Sequence, residues 1–145
     1  MEKAITYLLK SKTEIEKISN HGKDIPLSKK MDMLVSINTN LGMFYQVSNN
    51  PDRNLEKSKQ YYDAALKDTE NENYKVGTDT KINLYECLLE FYNAGKDYNK
   101  AIDFGEKMLA VEKSYSMPYN RRVGYMVLAK AYLGAGKNET SQKVP

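Results

Sequence analysis

A pattern that recurs along this 145-residue chain constrains its fold more than any other feature. Leu41-Gly42-Met43-Phe44-Tyr45 is followed, after a polar break, by Leu55 to Leu66, which carries Ser58, Tyr61, Tyr62 and Ala65. Leu88-Leu89-Glu90-Phe91-Tyr92 is followed by Tyr98 to Leu109, with Ala101, Phe104 and Met108. Leu128-Ala129-Lys130-Ala131-Tyr132 is followed by Gly136 to Ser141, and the opening stretch Glu2 to Ser11 matches the second half of the same unit. Tyr45 to Tyr92 is 47 residues and Tyr92 to Tyr132 is 40. Units repeated at such intervals cannot bury an apolar face alone, so they stack on their neighbours.

Within each unit apolar residues recur at three and four, the helical period, and no strand pattern is present. The spacing predicts a first helix over about 2–19, with Ala4, Ile5, Leu8, Leu9, Ile15 and Ile18 on one stripe and Gly22 available for a left-handed cap. A second helix is expected over 28–48, broken by Asn49-Asn50-Pro51-Asp52, and a third over 53–69. The polar stretch 68–79, with Gly77, reads as a loop or as a loop whose C-terminal part is helical. A fourth helix follows over 80–94, then the turn Gly95-Lys96-Asp97, with Asp97 as the cap of a fifth helix over 98–113. Ser116-Met117-Pro118 opens a sixth, which Gly134-Ala135-Gly136 ends, and Asn138 reads as the cap of a short seventh.

Composition excludes several function classes. Lys and Arg total 22 against 19 Asp and Glu, a net charge of +3, too balanced for a dedicated phosphate-backbone binder. Lys10, Lys12, Lys17, Lys23, Lys29 and Lys30 tint the first third basic, but Glu14, Glu16 and Asp24 interleave and the stretch reads as a solvated face. One Cys, Cys87, forbids an intrachain disulfide or a multi-Cys zinc site, and one His, His21, argues against a multi-His metal site. Cys87 reads as a small core residue and His21 as a surface residue in a polar turn. Gly134-Ala135-Gly136-Lys137 invites a phosphate-loop reading, but Ala131 and Asn138 stand where that loop needs Gly and Ser or Thr. No apolar run reaches the ~18 residues that cross a membrane. Charges interrupt the N-terminal stretch, so no signal peptide and a cytoplasmic location are the expectation. The chain is expected to be non-catalytic, with no metal, no cofactor, no nucleic acid and no membrane partner.

The recurring unit resembles the tetratricopeptide repeat (TPR) family. Gly42 and Ala129 match the family's small residue near the end of the first helix of a unit. Ala4, Ser58, Ala101 and Ser141 match the one that opens the second, and Ser11 and Ala65 a later one. The rings at Tyr45, Tyr92 and Tyr132 match its aromatic position, with Tyr85 and Tyr125 a turn or two earlier. Small residues allow close helix approach, with a neighbouring ring filling the gap. Leu89 and Met108 depart from the pattern, which predicts a splayed or rotated middle unit. The spacing exceeds the standard ~34 residues and is similar to the extended variant of kinesin light chains and of bacterial regulatory and sensor proteins. The resemblance implies an all-α, right-handed solenoid of antiparallel helix pairs with six to seven helices. It would form one domain: half repeat 1–25, repeat 28–70, repeat 80–114 and partial repeat 117–145. Beginning and ending out of phase, it reads as a segment of a longer protein or as a chain whose ends pair with another copy.

The resemblance also implies a concave groove that takes a peptide or a partner helix, as in the scaffold or sensor part of a regulatory protein. Three trios would line it: Thr39, Met43 and Gln46; Glu86, Glu90 and Asn93; Met126, Lys130 and Leu133. Members that bind chaperone tails hold a terminal carboxylate with Lys, Asn and Arg. That set is missing and Glu86 and Glu90 occupy the centre, so a mixed or basic peptide is the expected ligand. Glu86 and Glu90, four apart on one helix face, read as a solvated pair rather than acid–base catalysts. Two rivals stand beside this reading: a structural module that self-assembles through its ends, and an RNA-binding helical repeat, which would want a basic groove and regular spacing.

Overall fold

The computed structural model describes residues 2–112 and 121–143, with side chains over 2–112 and 125–136. Every regular element among them is helical: α1 (Glu2–Glu16), α2 (Leu27–Gln46), α3 (Leu55–Glu70), a 3₁₀ turn (Glu72–Tyr74), α4 (Thr78–Ala94), α5 (Tyr98–Glu112) and α6 (Arg121–Lys143). None of the described helices is long and apolar enough to cross a membrane. The chain divides into two compact units, Met1–Leu84 and Tyr85–Pro145, with the division inside α4.

In the first unit α2 packs on α1 and on α3. Ile5 from α1 joins Ile37, Leu41 and Tyr45 from α2, with Leu8, Ile15, Phe44 and Tyr61 packed around them. On another side of α2 the approach is closer. Tyr62 of α3 lies flat on Gly42, and Ser58 Oγ donates to the Gly42 carbonyl at 2.6 Å. Ser58, Tyr62 and Ala65 are fully buried there, as a small-residue contact requires.

Helix ends are closed by side chains that the pattern did not single out. α1 stops at Glu16 rather than near Ser19, and no glycine among the described residues adopts positive φ, so Gly22 is not the left-handed cap. The end is held instead by Lys30, whose buried ammonium donates at 2.7 Å to both the Ile18 carbonyl and Asn20 Oδ1. A cation there satisfies orphan carbonyls and opposes the negative end of the helix dipole. Lys30 is therefore not part of a solvated face. The Asn49–Asp52 break closes α2: Asn50 Nδ2, Asn54 N and Arg53 Nε donate to the carbonyls of Phe44, Tyr45 and Gln46. Asn54 Oδ1 then caps α3 by accepting from Lys57 N. The expected loop is shorter than 68–79, because α3 runs to Glu70 and α4 starts at Thr78; between them Lys75 takes the left-handed conformation (φ 50°). Asp32 Oδ1 accepts from Gly77 N and ties the segment to α2.

In the second unit α4 ends in a Schellman turn: Asp97 N donates to the Tyr92 carbonyl and Lys96 N to that of Asn93. The left-handed residue is Lys96 (φ 61°), not Gly95. Asp97 caps α5 as expected, accepting from Lys100 N. α5 packs on α6. Gly105 receives Leu128, and Gly134 lies flat against the ring of Tyr98. That contact explains why Gly134-Ala135-Gly136 does not end a helix. α6 runs through it to Lys143, so Asn138 lies within α6 and does not cap a further helix. The segment Ser116-Met117-Pro118 and the side chains of Asn138 and Ser141 lie outside the described residues.

Candidate partner-binding faces

The repeat seen in the sequence is also a repeat of local geometry. In the first unit Tyr45 stacks on Tyr61, centroids 5.8 Å apart and planes 2° from parallel. In the second Tyr92 stacks on Phe104 at 5.7 Å and 10°. Lys57 sits 5.3 Å from the Tyr45 ring centre and Lys100 5.2 Å from that of Tyr92. The small residue beside each lysine, Ser58 or Ala101, is fully buried. The α4–α5 pair thus keeps the same ring stack although Leu89 and Met108 replace small residues; both are buried, and the expected splaying is not seen at the stack.

This register shows what each position of the trios faces. On α2 and α4 the first and third positions of a trio are more buried than the second. Thr39 is therefore not a groove residue: it is buried, with its hydroxyl donating to the Val35 carbonyl at 2.7 Å. Gln46 is half-buried and its Oε1 accepts from the Tyr62 hydroxyl at 2.8 Å. Glu86 and Asn93 are half-buried likewise. Met43, Glu90 and Lys130, the middle members, are exposed on all three helices. Met126 and Leu133 are exposed as well, for a reason taken up below.

Glu86 and Glu90 share one face of α4, a turn apart. Burial raises the pKa of Glu86, and the neighbouring charges of Glu90 and Glu112 raise it further. Burial also raises that of Glu90. No ion pair reaches either carboxyl among the described residues. The pair is therefore partly desolvated, not the freely solvated face that spacing suggested.

His21 is exposed and Cys87 half-buried, and no group of three potential metal ligands occurs among the described residues. Gly134 to Gly136 lie inside a helix, where they form no phosphate loop. An open cleft of about 430 Å³ in the first unit was not foreseen. It collects Glu2, Thr6, Tyr45, Asp52, Arg53 and Lys57 from three separate stretches, so spacing carries no trace of it. Its cations are already engaged, Arg53 with the Gln46 carbonyl and Lys57 with the Tyr45 ring.

Comparison with protein-family models, with curated proteins and with solved structures found no match to this chain.

Proposed function

We propose that the chain is a non-catalytic helical-repeat module, similar to the TPR family, that binds a basic peptide or partner helix. The observation that carries the reading is the partly desolvated Glu86–Glu90 pair, which no cation reaches among the described residues. Two like charges held in this way favour a ligand that brings a lysine or arginine. Two further features support the reading. Consecutive helices pack as pairs, α1 on α2, α2 on α3 and α5 on α6, as a solenoid of hairpins would. In the second unit the middle trio members, Glu90 and Lys130, stay exposed on α4 and α6.

Fluorescence anisotropy with labelled helical peptides of equal length and lysine-rich, neutral or glutamate-rich sequence tests the proposal. The lysine-rich peptide binds most tightly, its affinity falls with added salt, and Glu86→Lys/Glu90→Lys abolishes the preference. Equal affinity for all three peptides, or a preference untouched by the double variant, overturns it.

A further inference from the structure

The aromatic stack that joins α2 to α3 and α4 to α5 has a third counterpart on α6 that lacks its covering ring among the described residues. Tyr132 occupies on α6 the place of Tyr45 and Tyr92, yet it is 49% exposed and meets no stacking ring among the described residues; its hydroxyl donates to Glu106 of the preceding helix. Leu128, like Leu41, is buried, and it packs against the helix before it. The face of α2 covered by α3 includes Thr39, Gly42 and Gln46. Its counterpart on α6 is Met126, Ala129 and Leu133, with Met126 55% and Leu133 60% exposed. Among the described residues no helix covers this face of α6.

The covering helices share a signature: a lysine, a small residue, two variable positions and a ring. It reads Lys57-Ser58-Lys59-Gln60-Tyr61 on α3 and Lys100-Ala101-Ile102-Asp103-Phe104 on α5. In both the lysine lies over the first helix's tyrosine, the small residue is buried and the ring makes the stack. The signature occurs once more among the described helices, as Lys3-Ala4-Ile5-Thr6-Tyr7 on α1. There it is unused: Tyr7 is 66% exposed, and Ser11, the counterpart of fully buried Ala65, is also exposed. α1 packs on α2 through the adjoining stripe of Ile5, Leu8 and Ile15, which leaves exposed Tyr7 and Ser11 for α6.

We propose that α1 of one copy covers the open face of α6 of another. Tyr7 stacks on Tyr132, Lys3 lies over the Tyr132 ring, and Ala4 seats close to α6. The contact is heterologous, so each copy offers one donor helix and one open face, and assembly continues head to tail unless it closes into a ring. Lys130, like Met43, lies outside the covered face, so peptide binding and assembly are separable.

Sedimentation velocity of the 145-residue chain, from low-micromolar to sub-millimolar concentration, tests this with two variants at exposed positions. Tyr7→Arg blocks the donor helix and Leu133→Glu blocks the open face; Met126→Glu replaces the latter if helix content by circular dichroism falls. The wild type shows a mass that rises with concentration past the dimer. Each variant alone stays monomeric. An equimolar mixture forms a one-to-one dimer and stops there, because only one complementary pair of surfaces remains. A wild type that stays monomeric, a variant that assembles like the wild type, or a mixture that stays monomeric overturns the proposal.

Discussion

Gly42 tests the close helix approach on which the packing of the first unit depends. An ideal Cβ at this position would lie 2.6 Å from Cδ1 and Cε1 of Tyr62 and 3.0 Å from its Cγ. The ring cannot yield easily. It is fully buried, its hydroxyl is held on Gln46 Oε1, and Ser58 fixes α3 to α2 at the same level. Overpacking of this kind costs roughly 1–3 kcal/mol. Gly→Ala in a helix returns roughly 0.5–1 kcal/mol. Gly42→Ala should therefore destabilise by about 1–2 kcal/mol, a fall in Tm of about 5–10 °C for a unit of this size. Thermal and urea unfolding followed by helical circular dichroism measure it. Removing ring atoms relieves the clash, so Gly42→Ala combined with Tyr62→Leu should show a favourable coupling of about 1 kcal/mol or more. Stabilisation by Gly42→Ala, as helix propensity alone would give, refutes the close approach.

Gly136 supplies the opposite sign: nothing lies within 4 Å of a Cβ built there, so Gly136→Ala should raise stability by roughly 0.5–1 kcal/mol in the same unfolding assay. Lys30→Met keeps the apolar stem and removes the ammonium that closes α1, and should cost about 2 kcal/mol, with faster amide exchange at the C-terminal end of α1. The folded protein holds the Glu86 proton more tightly than the unfolded chain does. That stability is fully present below the ordinary carboxylate range and is lost as pH rises through the raised value. Glu86→Gln should thus stabilise at neutral pH and change little in acid, and an equal effect at both pH values contradicts the desolvation argument.

Much of the fold was legible because apolar period and turn chemistry agree locally. The stripe of α1, the Asn49–Asp52 break and the Asp97 cap each rest on residues within a few positions of one another. The repeat register was legible for the same reason, since Ser58 and Ala101 follow their lysines directly and are buried alike. What escaped is non-local. Gly134-Ala135-Gly136 carries a strong breaking signal, but Tyr98, on the preceding helix, makes a flat glycine face the better fit. Lys30 is one lysine among many until α1 and α2 pair and place its ammonium over carbonyls 12 and 14 residues away. Thr39 and Met43 are equally plausible on a helical wheel, and only tertiary packing buries one and leaves the other open. The raised pKa of Glu86 depends on its burial and on the charge of Glu112 on α5, which spacing within α4 does not show.

Thiol reactivity at matched positions tests the central claim, that a covering helix decides which face of each first helix is open. In a Cys87→Ser background, single cysteines at Thr39, Met43, Met126 and Lys130 are labelled with a maleimide and their rates compared. The account predicts fast labelling at Met43 and Lys130 at every concentration, strong protection at Thr39, and labelling at Met126 that is fast in dilute solution and slows as copies associate. A cysteine at Thr39 that reacts as fast as one at Met43, or one at Met126 that is protected even at the lowest concentration, contradicts it.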